Sequence, residues 1–168
     1  MRGEPVRLPR ALAARILQHA QASPEAEICG LLGGREGRAV SWYPVPNVAE
    51  TPARRFRMDP RAQIEAFRRM RQRGEALYAI YHSHPRGPAR PSAVDLAEAA
   101  YPEAFQLIVG LGTRGVLELR AFRLSGDEAR EVPLELLPWE LLTGEGAGAS
   151  YNAQPSRPGR SGSDEEEA

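Results

Sequence analysis

The sequence predicts one α/β domain of the α+β kind, in which a mixed β-sheet has helices inserted between its strands. Two segments repeat their apolar residues at helical spacing. Several short apolar runs have the length of buried strands. The chain has 168 residues and is 42% hydrophobic, which suits one domain with a sizeable core.

The N-terminal segment is predicted to form a helix followed by a hairpin. Apolar residues recur at helical spacing from Leu8 to Gln21, and Ser23-Pro24 ends the pattern. Two apolar runs follow, ICGLLGG at 28–34 and RAVSWYPV at 38–45, with a glycine-containing turn between them. Glu27 stands directly before the first of these two strands.

A second helix is predicted in the middle of the chain. Residues 47–54 are expected to form a loop and residues 55–58 a short strand. Asp59 is a good N-cap residue and Pro60 suits the first helical position, so a helix should run from there to about Arg73, with Gly74 as its stop. The residues predicted to face inward are Ile64, Phe67 and Met70.

The second half of the domain is predicted to alternate strands with one short helix. Residues 77–82 and 105–111 are mostly apolar, which indicates buried strands. A short helix is expected at 92–100. Residues 116–124 alternate as a half-exposed strand, and residues 129–134 are expected to pair beside it.

The last part of the chain differs in composition from the rest. After Leu142 it is rich in Gly, Ser and Pro and ends in the acidic run SDEEEA. The sequence therefore predicts a domain at 1–142 and a disordered acidic tail at 143–168. Trp139 and Leu142 are the last residues expected to dock on the domain.

Composition excludes several classes of function. The formal net charge is zero, so neither nucleic acid nor a membrane surface is a predicted partner. All 22 basic residues are Arg, which excludes Schiff-base and phosphate-loop lysines. The lone Cys29 excludes an internal disulfide framework. No stretch approaches a membrane span or a signal sequence, so we expect a cytoplasmic protein.

The stretch HSHPRGPARPSAVD at 82–95 has the residues of a metal site. In an extended strand, side chains alternate between faces, so His82 and His84 point the same way. A catalytic zinc ion typically takes three protein ligands and keeps one open position. Asp95 is the natural third ligand because the Pro-rich turn can bring it back beside the strand end. Ser92, at the helix start, could donate to a developing oxyanion.

The same residues resemble the JAMM motif of the MPN-plus metalloprotease family. That motif is a Glu, a long gap, His-x-His, seven residues and Ser-x-x-Asp. The matching residues are Glu27 in EICGLLGG, His82, His84, Ser92 and Asp95, with residues 85–91 as the seven. The resemblance spans roughly residues 8–125, and its four elements at fixed spacing make it specific.

The resemblance implies an MPN-type fold, a mixed sheet flanked by helices in a cytidine-deaminase-like sandwich. It implies that His82, His84 and Asp95 bind zinc, that Glu27 is the general acid/base and that Ser92 supports the oxyanion. The chain is most similar to small bacterial members that act on ubiquitin-like sulfur carriers. A peptidase or isopeptidase acting after a carrier's C-terminal Gly-Gly is therefore expected, with a lysine-linked protein or free cysteine as leaving group.

Other interpretations of these residues remain open at this point. Ser92 and Asp95 also fit a capping box, and Glu25 is a rival to Glu27. Cys29 shares a face with Glu27, which allows a thiol nucleophile with a histidine base, although a cysteine in an apolar run is usually a core residue.

Further alternatives concern the rest of the chain. Arg86 and Arg90 are either solvated turn residues or ligands for a substrate carboxylate, and His19 is expected to be structural or exposed. A non-enzymatic MPN scaffold that binds partners is the main rival function. Another divalent ion could replace zinc, and the oligomeric state stays open, a homodimer included.

Overall fold

A computed structural model describes residues 3–112 and 116–138 of the chain. The predicted boundary at 142, the docking of Trp139 and Leu142, and the acidic tail lie outside these residues. In chain order the elements are β1 (Val6–Pro9), α1 (Arg10–Gln21), β2 (Cys29–Arg35), β3 (Arg38–Val45), α2 (Pro60–Gln72), β4 (Ala76–His84), α3 (Ala93–Glu98), β5 (Phe105–Gly110), β6 (Glu118–Ser125), β7 (Glu128–Val132) and β8 (Leu134–Leu137).

The centre of the fold is a mixed sheet with helices on both faces, which confirms the predicted fold class. Its strand order is β3-β2-β4-β5-β6-β7, and β4 and β5 run parallel while the neighbouring pairs run antiparallel. Leu32 and Tyr81 pack in the core formed with α1. Their chain neighbours Leu31 and Ile80 pack in the core formed with α2. The sheet therefore has an α1 face and an α2 face.

Two short strands at the ends of the domain were missed from the sequence. β1 pairs in parallel with β8, with Val6 opposite Leu134 and Leu8 opposite Leu136. The prediction that Leu8 begins the first helix is wrong, because the helix starts at Arg10, after Pro9. Leu8 is fully buried in β1, so its apolar character reflects strand pairing and not the helical repeat. A contact between residues this far apart leaves no local signal.

The second helix begins and ends as predicted, and two of its three residues predicted to face inward, Phe67 and Met70, pack against the core. The Asp59 side chain accepts a hydrogen bond from the backbone N–H of Ala62, and Gly74 follows the helix with a φ of +66°. The prediction that Ile64 faces inward is wrong, because it is 68% exposed. The buried residues are Ala66 and Met70, four positions apart, and Ile64 lies about 200° around the helix from Ala66.

A hydrogen-bonded cluster stands on the α1 face behind β4. The fully buried Tyr81 hydroxyl accepts from the indole N–H of Trp42 at 2.9 Å and lies 2.9 Å from Nδ1 of His19. When the Tyr81 hydroxyl donates its proton to Nδ1 of His19, the hydroxyl, the imidazole nitrogen and the indole N–H all have hydrogen-bond partners. His19 is thus a structural residue, which was one of the two roles expected for it from the sequence. Gly30 is required beneath this hydroxyl, because an added Cβ would collide with it.

The described residues contain no helix that is both long and apolar enough to cross a membrane.

Candidate active site

The two histidines of the predicted ligand set lie at the C-terminal end of β4. Both point to the α2 face, as strand alternation predicts, and their Nε2 atoms are 3.1 Å apart. Ser83 between them points the other way, and its Oγ accepts a hydrogen bond from the backbone N–H of Ile28 at 2.9 Å. This bond fixes β4 against the start of β2, so the direction of both imidazoles is set by the sheet.

Asp95 returns to the histidines from the first turn of α3. Its Oδ2 lies 3.2 Å from Nε2 of His82 and 3.1 Å from Nε2 of His84. The same oxygen accepts the backbone N–H of Ser92 at 2.8 Å, while the Ser92 Oγ accepts the backbone N–H of Asp95 at 3.1 Å. The capping box and the ligand set therefore coexist, because one carboxylate oxygen serves both.

These three side chains fit a metal ion with tetrahedral preference. Ligand atoms at 2.0–2.1 Å from zinc in tetrahedral directions are about 3.3 Å apart, and the three donor atoms here are 3.1–3.2 Å apart. The set of two imidazoles and one carboxylate is a catalytic zinc donor set. The Nδ1 of His84 lies 2.9 Å from the carbonyl oxygen of Pro88. A proton on Nδ1 would satisfy that carbonyl and leave the Nε2 lone pair free for a metal.

Glu27 lies beside this group, as the sequence predicted. It is 5% exposed, and its Oε1 is 3.9 Å from Nε2 of His84. Its Oε2 is buried and has no hydrogen-bond partner among the described residues. Burial raises the pKa of Glu27 to about 7, against a smaller lowering by His84. Glu25, the rival considered from the sequence, is exposed.

A family model for prokaryotic homologs of the JAB domain matches residues 9–125 of the chain. The chain belongs to this family. The match includes all five predicted site residues and confirms the resemblance inferred from the motif.

Curated relatives cover most of this JAB-family chain. A probable TtuB-protein conjugate cleaving protease from Thermus thermophilus is 37% identical over 130 residues, 77% of this chain and 82% of the relative. A desampylase from Haloferax volcanii is 35% identical over 134 residues, 75% and 94% of the two chains. A CysO-cysteine peptidase from Mycobacterium tuberculosis is 30% identical over 128 residues, 75% and 87% of the two chains.

Solved structures agree with the fold. A protein from Desulfitobacterium hafniense, solved in solution, is 34% identical, with a TM-score of 0.71 over 79% of this chain and 93% of that one. A JAB1/MPN domain protein from Archaeoglobus fulgidus is 21% identical, with a TM-score of 0.53 over 80% of this chain and 100% of that one. The predicted MPN-type fold is thereby confirmed.

In this JAB-family site the two histidines are held differently. His84 is fixed by Pro88, whereas Nδ1 of His82 is buried and has no hydrogen-bond partner among the described residues. The ring of Phe56 stacks on His82 instead, with centroids 4.6 Å apart and planes 27° apart. Phe56 belongs to the loop at 46–59 that was predicted in part as a strand. The structure shows there only an isolated bridge between Asn47 and Met58.

Asn47 is the residue of this loop that sequence reasoning missed. Its side-chain NH₂ donates to the carbonyl oxygen of Glu27 at 2.9 Å and to that of Arg55 at 3.0 Å. Its Oδ1 accepts the backbone N–H groups of Ala49 at 3.0 Å and Arg57 at 2.9 Å. The backbone N–H of Glu27 donates to Pro52, also in the loop, at 2.8 Å. The loop thus holds residue 27 from both sides.

Burial and mutual hydrogen bonds shift the pKa values of Asp95, His82 and His84. Burial alone would raise the pKa of Asp95, but hydrogen bonds from His82 and His84 outweigh it and hold that pKa below its usual range. Burial lowers the pKa of His82. Burial would lower the pKa of His84 too, but its bonds to Asp95 and Pro88 raise it overall. Asp95 is therefore an anion in the metal-free protein, and a bound cation would take the place of the Nε2 protons that it now accepts.

Cys29 does not have the environment of a nucleophile. The thiol is fully buried and lies 3.3 Å from the carbonyl oxygen of Val45, to which it can donate. Burial, together with the nearby Glu27, raises the pKa of Cys29 to about 12. A thiolate is the reactive form, so this environment argues against the thiol alternative.

A cavity of about 770 Å³ opens beside His82 and Asp95. Its walls are the loop residues 49–51 and 55–58 on one side and residues 94, 95 and 98–101 on the other, and its floor includes Ile80, His82 and Gln106. Arg55 and Glu98 face each other from the two walls, 3.8 Å apart. Arg86 and Arg90 are exposed and are not among its lining residues. Their proposed role toward a carboxylate stays a prediction.

Proposed function

We propose that this chain is a zinc-dependent peptidase that hydrolyses the bond after the C-terminal Gly-Gly of a small ubiquitin-like or sulfur-carrier protein. The observation that carries the proposal is the convergence of His82, His84 and Asp95 donor atoms at 3.1–3.2 Å with the Glu27 carboxylate beside them. A non-enzymatic scaffold has no need of a complete ligand set with a buried, unpaired acid.

The names of the relatives support the substrate class. One is named for cleaving a protein conjugate, one as a desampylase and one for a cysteine adduct of a named protein. All are described as enzymes that remove something from another molecule, and two are named as a protease or peptidase. We therefore assign this chain the cleavage of a bond between a carrier protein and its attached group. The attached group is either a lysine-linked protein or free cysteine.

The three ligand residues would hold the ion, and Asp95 would supply the negative charge that the histidines lack. A divalent ion at this point supplies Lewis acidity, which polarises the scissile carbonyl and acidifies water. Zinc is the ion we propose, because two imidazole nitrogens and one carboxylate oxygen suit it.

Glu27 carries the proton transfers in this proposal. The first transfer takes a proton from the attacking water onto its carboxylate, and the second delivers that proton to the leaving amine. In the metal-free protein burial raises the pKa of Glu27 to about 7, and a bound cation would lower it. A carboxyl group in this range can both accept and release a proton near neutral pH. The oxygen Oε2, which has no partner among the described residues, is free to take the proton.

Ser92 supports the carbonyl oxygen as negative charge develops on it. The Ser92 Oγ already accepts the backbone N–H of Asp95, but its hydroxyl proton has no acceptor among the described residues. That proton can be donated to the negative charge that develops on the oxygen of the scissile carbonyl. The capping bond therefore orients the donor without using it.

The test uses purified protein and the host's own ubiquitin-like carriers. Each carrier is prepared with a C-terminal cysteine and, separately, with a lysine-containing peptide joined through an isopeptide bond. Intact-mass analysis should show release of the attached group, loss of release on chelation and recovery with added zinc. Elemental analysis should give about one zinc per chain, the stoichiometry of a single catalytic site.

A matched pair of variants controls this experiment. His84→Asn removes one ligand and should abolish both zinc content and release. His19→Asn changes the remaining histidine, on the α1 face, and should leave both intact near pH 7.5. Carrier binding without release in any preparation would favour the scaffold, and release that survives complete chelation would refute the metal mechanism.

A further inference from the structure

Gln106 has a position that the proposed chemistry does not yet explain. It lies in β5, opposite Ile80 of the parallel strand β4, and is 6% exposed. It points to the same α2 face as Ile80 and His82 and lines the floor of the cavity beside them. Its carboxamide makes no hydrogen bond to any of the residues at 3–112 and 116–138 that the structure describes.

The Gln106 carboxamide lines the cavity with its hydrogen-bonding capacity unused by the described protein. It has two donor hydrogens and an acceptor oxygen. The cavity is also lined by the apolar side chains of Ile80, Phe56 and Met58, which offer no hydrogen bonds. A polar group of this kind that lines a cavity is suited to a ligand that enters the cavity.

The strand register gives the distance from Gln106 to the reaction centre. Ile80 precedes His82 by two residues on one face of β4, which separates their Cα atoms by about 6.6 Å. Gln106 is level with Ile80. An extended polypeptide also rises about 3.3 Å per residue, so a substrate lying along this cavity would place about two residues between the scissile bond and Gln106.

We propose that Gln106 is a substrate-binding residue whose carboxamide hydrogen-bonds the main chain of the carrier tail about two residues before the scissile bond. This inference rests on the proposed function. A carboxamide offers one donor and one acceptor in the same plane, which matches the N–H and C=O of an extended main chain and is indifferent to side chains. Gln106 would therefore select a carrier tail by its extended main chain and not by its side chains.

The tail, and not the leaving group, is the part of the substrate that fits. A free cysteine extends only about one residue, roughly 3.3 Å, beyond the scissile bond and does not reach Gln106. The attached groups in the relatives' names also differ, a protein in one and cysteine in another. The carrier side of the bond is therefore the part of the substrate that one cavity can bind in every case.

The experiment replaces single main-chain amides of the tail by esters, which removes one N–H at a time. Carrier adducts carry an ester at each of the four positions before the scissile bond, and kcat/KM is measured with the parent and with Gln106→Leu. The parent should lose about two- to tenfold at one position, near the second residue, the scale of one neutral hydrogen bond. Gln106→Leu should show that loss with the all-amide carrier and no further loss with the ester.

Two controls separate binding from folding. Gln18→Leu makes the same change at an exposed position of α1 and should behave as the parent. Gln106→Leu should keep the melting temperature, because the carboxamide makes no hydrogen bond to the described residues that the substitution could break. A lower melting temperature with proportional loss for every substrate would overturn the inference in favour of a structural role.

The remaining outcomes distinguish this inference from the proposed function. Losses should be equal for cysteine and lysine-linked adducts, and a loss confined to the lysine adduct would place Gln106 on the leaving side and refute the tail assignment. Parent release that Gln106→Leu leaves unchanged would refute the inference alone. The same carriers are titrated by calorimetry into Glu27→Gln protein with and without Gln106→Leu. Equal affinities of the two proteins for the carriers would refute the inference, whether or not release occurs. An absence of release in the parent would refute the proposed function alone.

Discussion

The replacement Glu27→Gln tests the candidate acid/base, and its effects on turnover and on stability should be opposite. Glutamine keeps the size of the side chain and leaves His82, His84 and Asp95 in place, so zinc content should not change. It cannot take a proton from water, and turnover should fall about 100-fold or more, the scale of general acid-base catalysis. Glu25→Gln, at an exposed position, is the matched control and should do little.

The stability effect follows from the burial of the Glu27 carboxylate. A pKa raised from 4.5 to about 7 corresponds to an upper limit of about 3 kcal/mol, at about 1.36 kcal/mol per tenfold change in the dissociation constant. Solvent near this partly buried carboxylate screens its charge and reduces this limit, so we expect Glu27→Gln to stabilise the metal-free fold by about 1–2 kcal/mol at neutral pH.

The sign of the pH dependence is fixed by the direction of the shift. Below pH 4.5 the carboxyl is protonated in both folded and unfolded chains, and the substitution gains nothing. Between pH 4.5 and about 7 the unfolded chain releases its proton first, so the parent loses stability relative to the variant. Above about pH 7 the difference is constant. A bound cation favours the ionised carboxylate, so zinc should shrink the difference.

Urea unfolding of the parent, Glu27→Gln and Glu25→Gln from pH 4 to 8, with chelator and with zinc, measures this difference. Release of the attached group from a carrier adduct measures turnover on the same samples. A Glu27→Gln protein that is zinc-loaded and fully active would refute the acid/base role, and loss of activity in Glu25→Gln would reassign it. A variant no more stable than the parent at pH 8 without metal would refute the account of the buried charge.

Three further substitutions test other parts of the structure. Asn47→Ala removes four hydrogen bonds and should lower the free energy of unfolding by about 1–3 kcal/mol, measured with urea. Turnover in the carrier-release assay should fall tenfold or more. Elemental analysis should show unchanged zinc content. Cys29→Ala should retain most activity, and a dead but folded and zinc-loaded variant would revive the thiol alternative. Burial lowers the pKa of His19, so the stabilisation by neutral His19 should be complete above pH 6.5 and be lost as the pH falls below that value. Below pH 6.5 the melting temperature of the parent should therefore fall relative to that of His19→Asn. A constant difference between the two melting temperatures would contradict this.

Much of the candidate metal centre could be predicted from the sequence because its proposed ligands lie in one short segment. His82 and His84 share a strand face by simple alternation, and the turn and capping box that return Asp95 are local. Glu27 is remote in sequence from this segment, and its assignment depended on the resemblance to a family. Local patterns likewise placed α2 through Asp59 and Gly74.

The errors and omissions came from contacts between distant segments. The pairing of β1 with β8 joins the two ends of the domain, and neither strand is long enough to show a pattern. Ile64 was placed inward with Phe67 and Met70 because it is apolar. The helix turns Phe67 and Met70 to the core but leaves Ile64 exposed. The role of Asn47 depends on a loop that curls around its side chain, which no spacing rule reports.

Metal binding and proton transfer should therefore be separable in this fold. The three proposed ligands are held by β4 and by the capping box of α3. The loop at 46–59 makes no hydrogen bond to them, and only the ring of Phe56, among the described loop residues, stacks on His82. Glu27 is held by that loop through Asn47 and Pro52. A change in the loop can displace the acid/base while the ion stays bound, whereas a change in the capping box must affect Asp95 and hence the ion. The loop also forms one wall of the cavity, so loop substitutions away from Phe56 should alter KM and kcat together without altering zinc content.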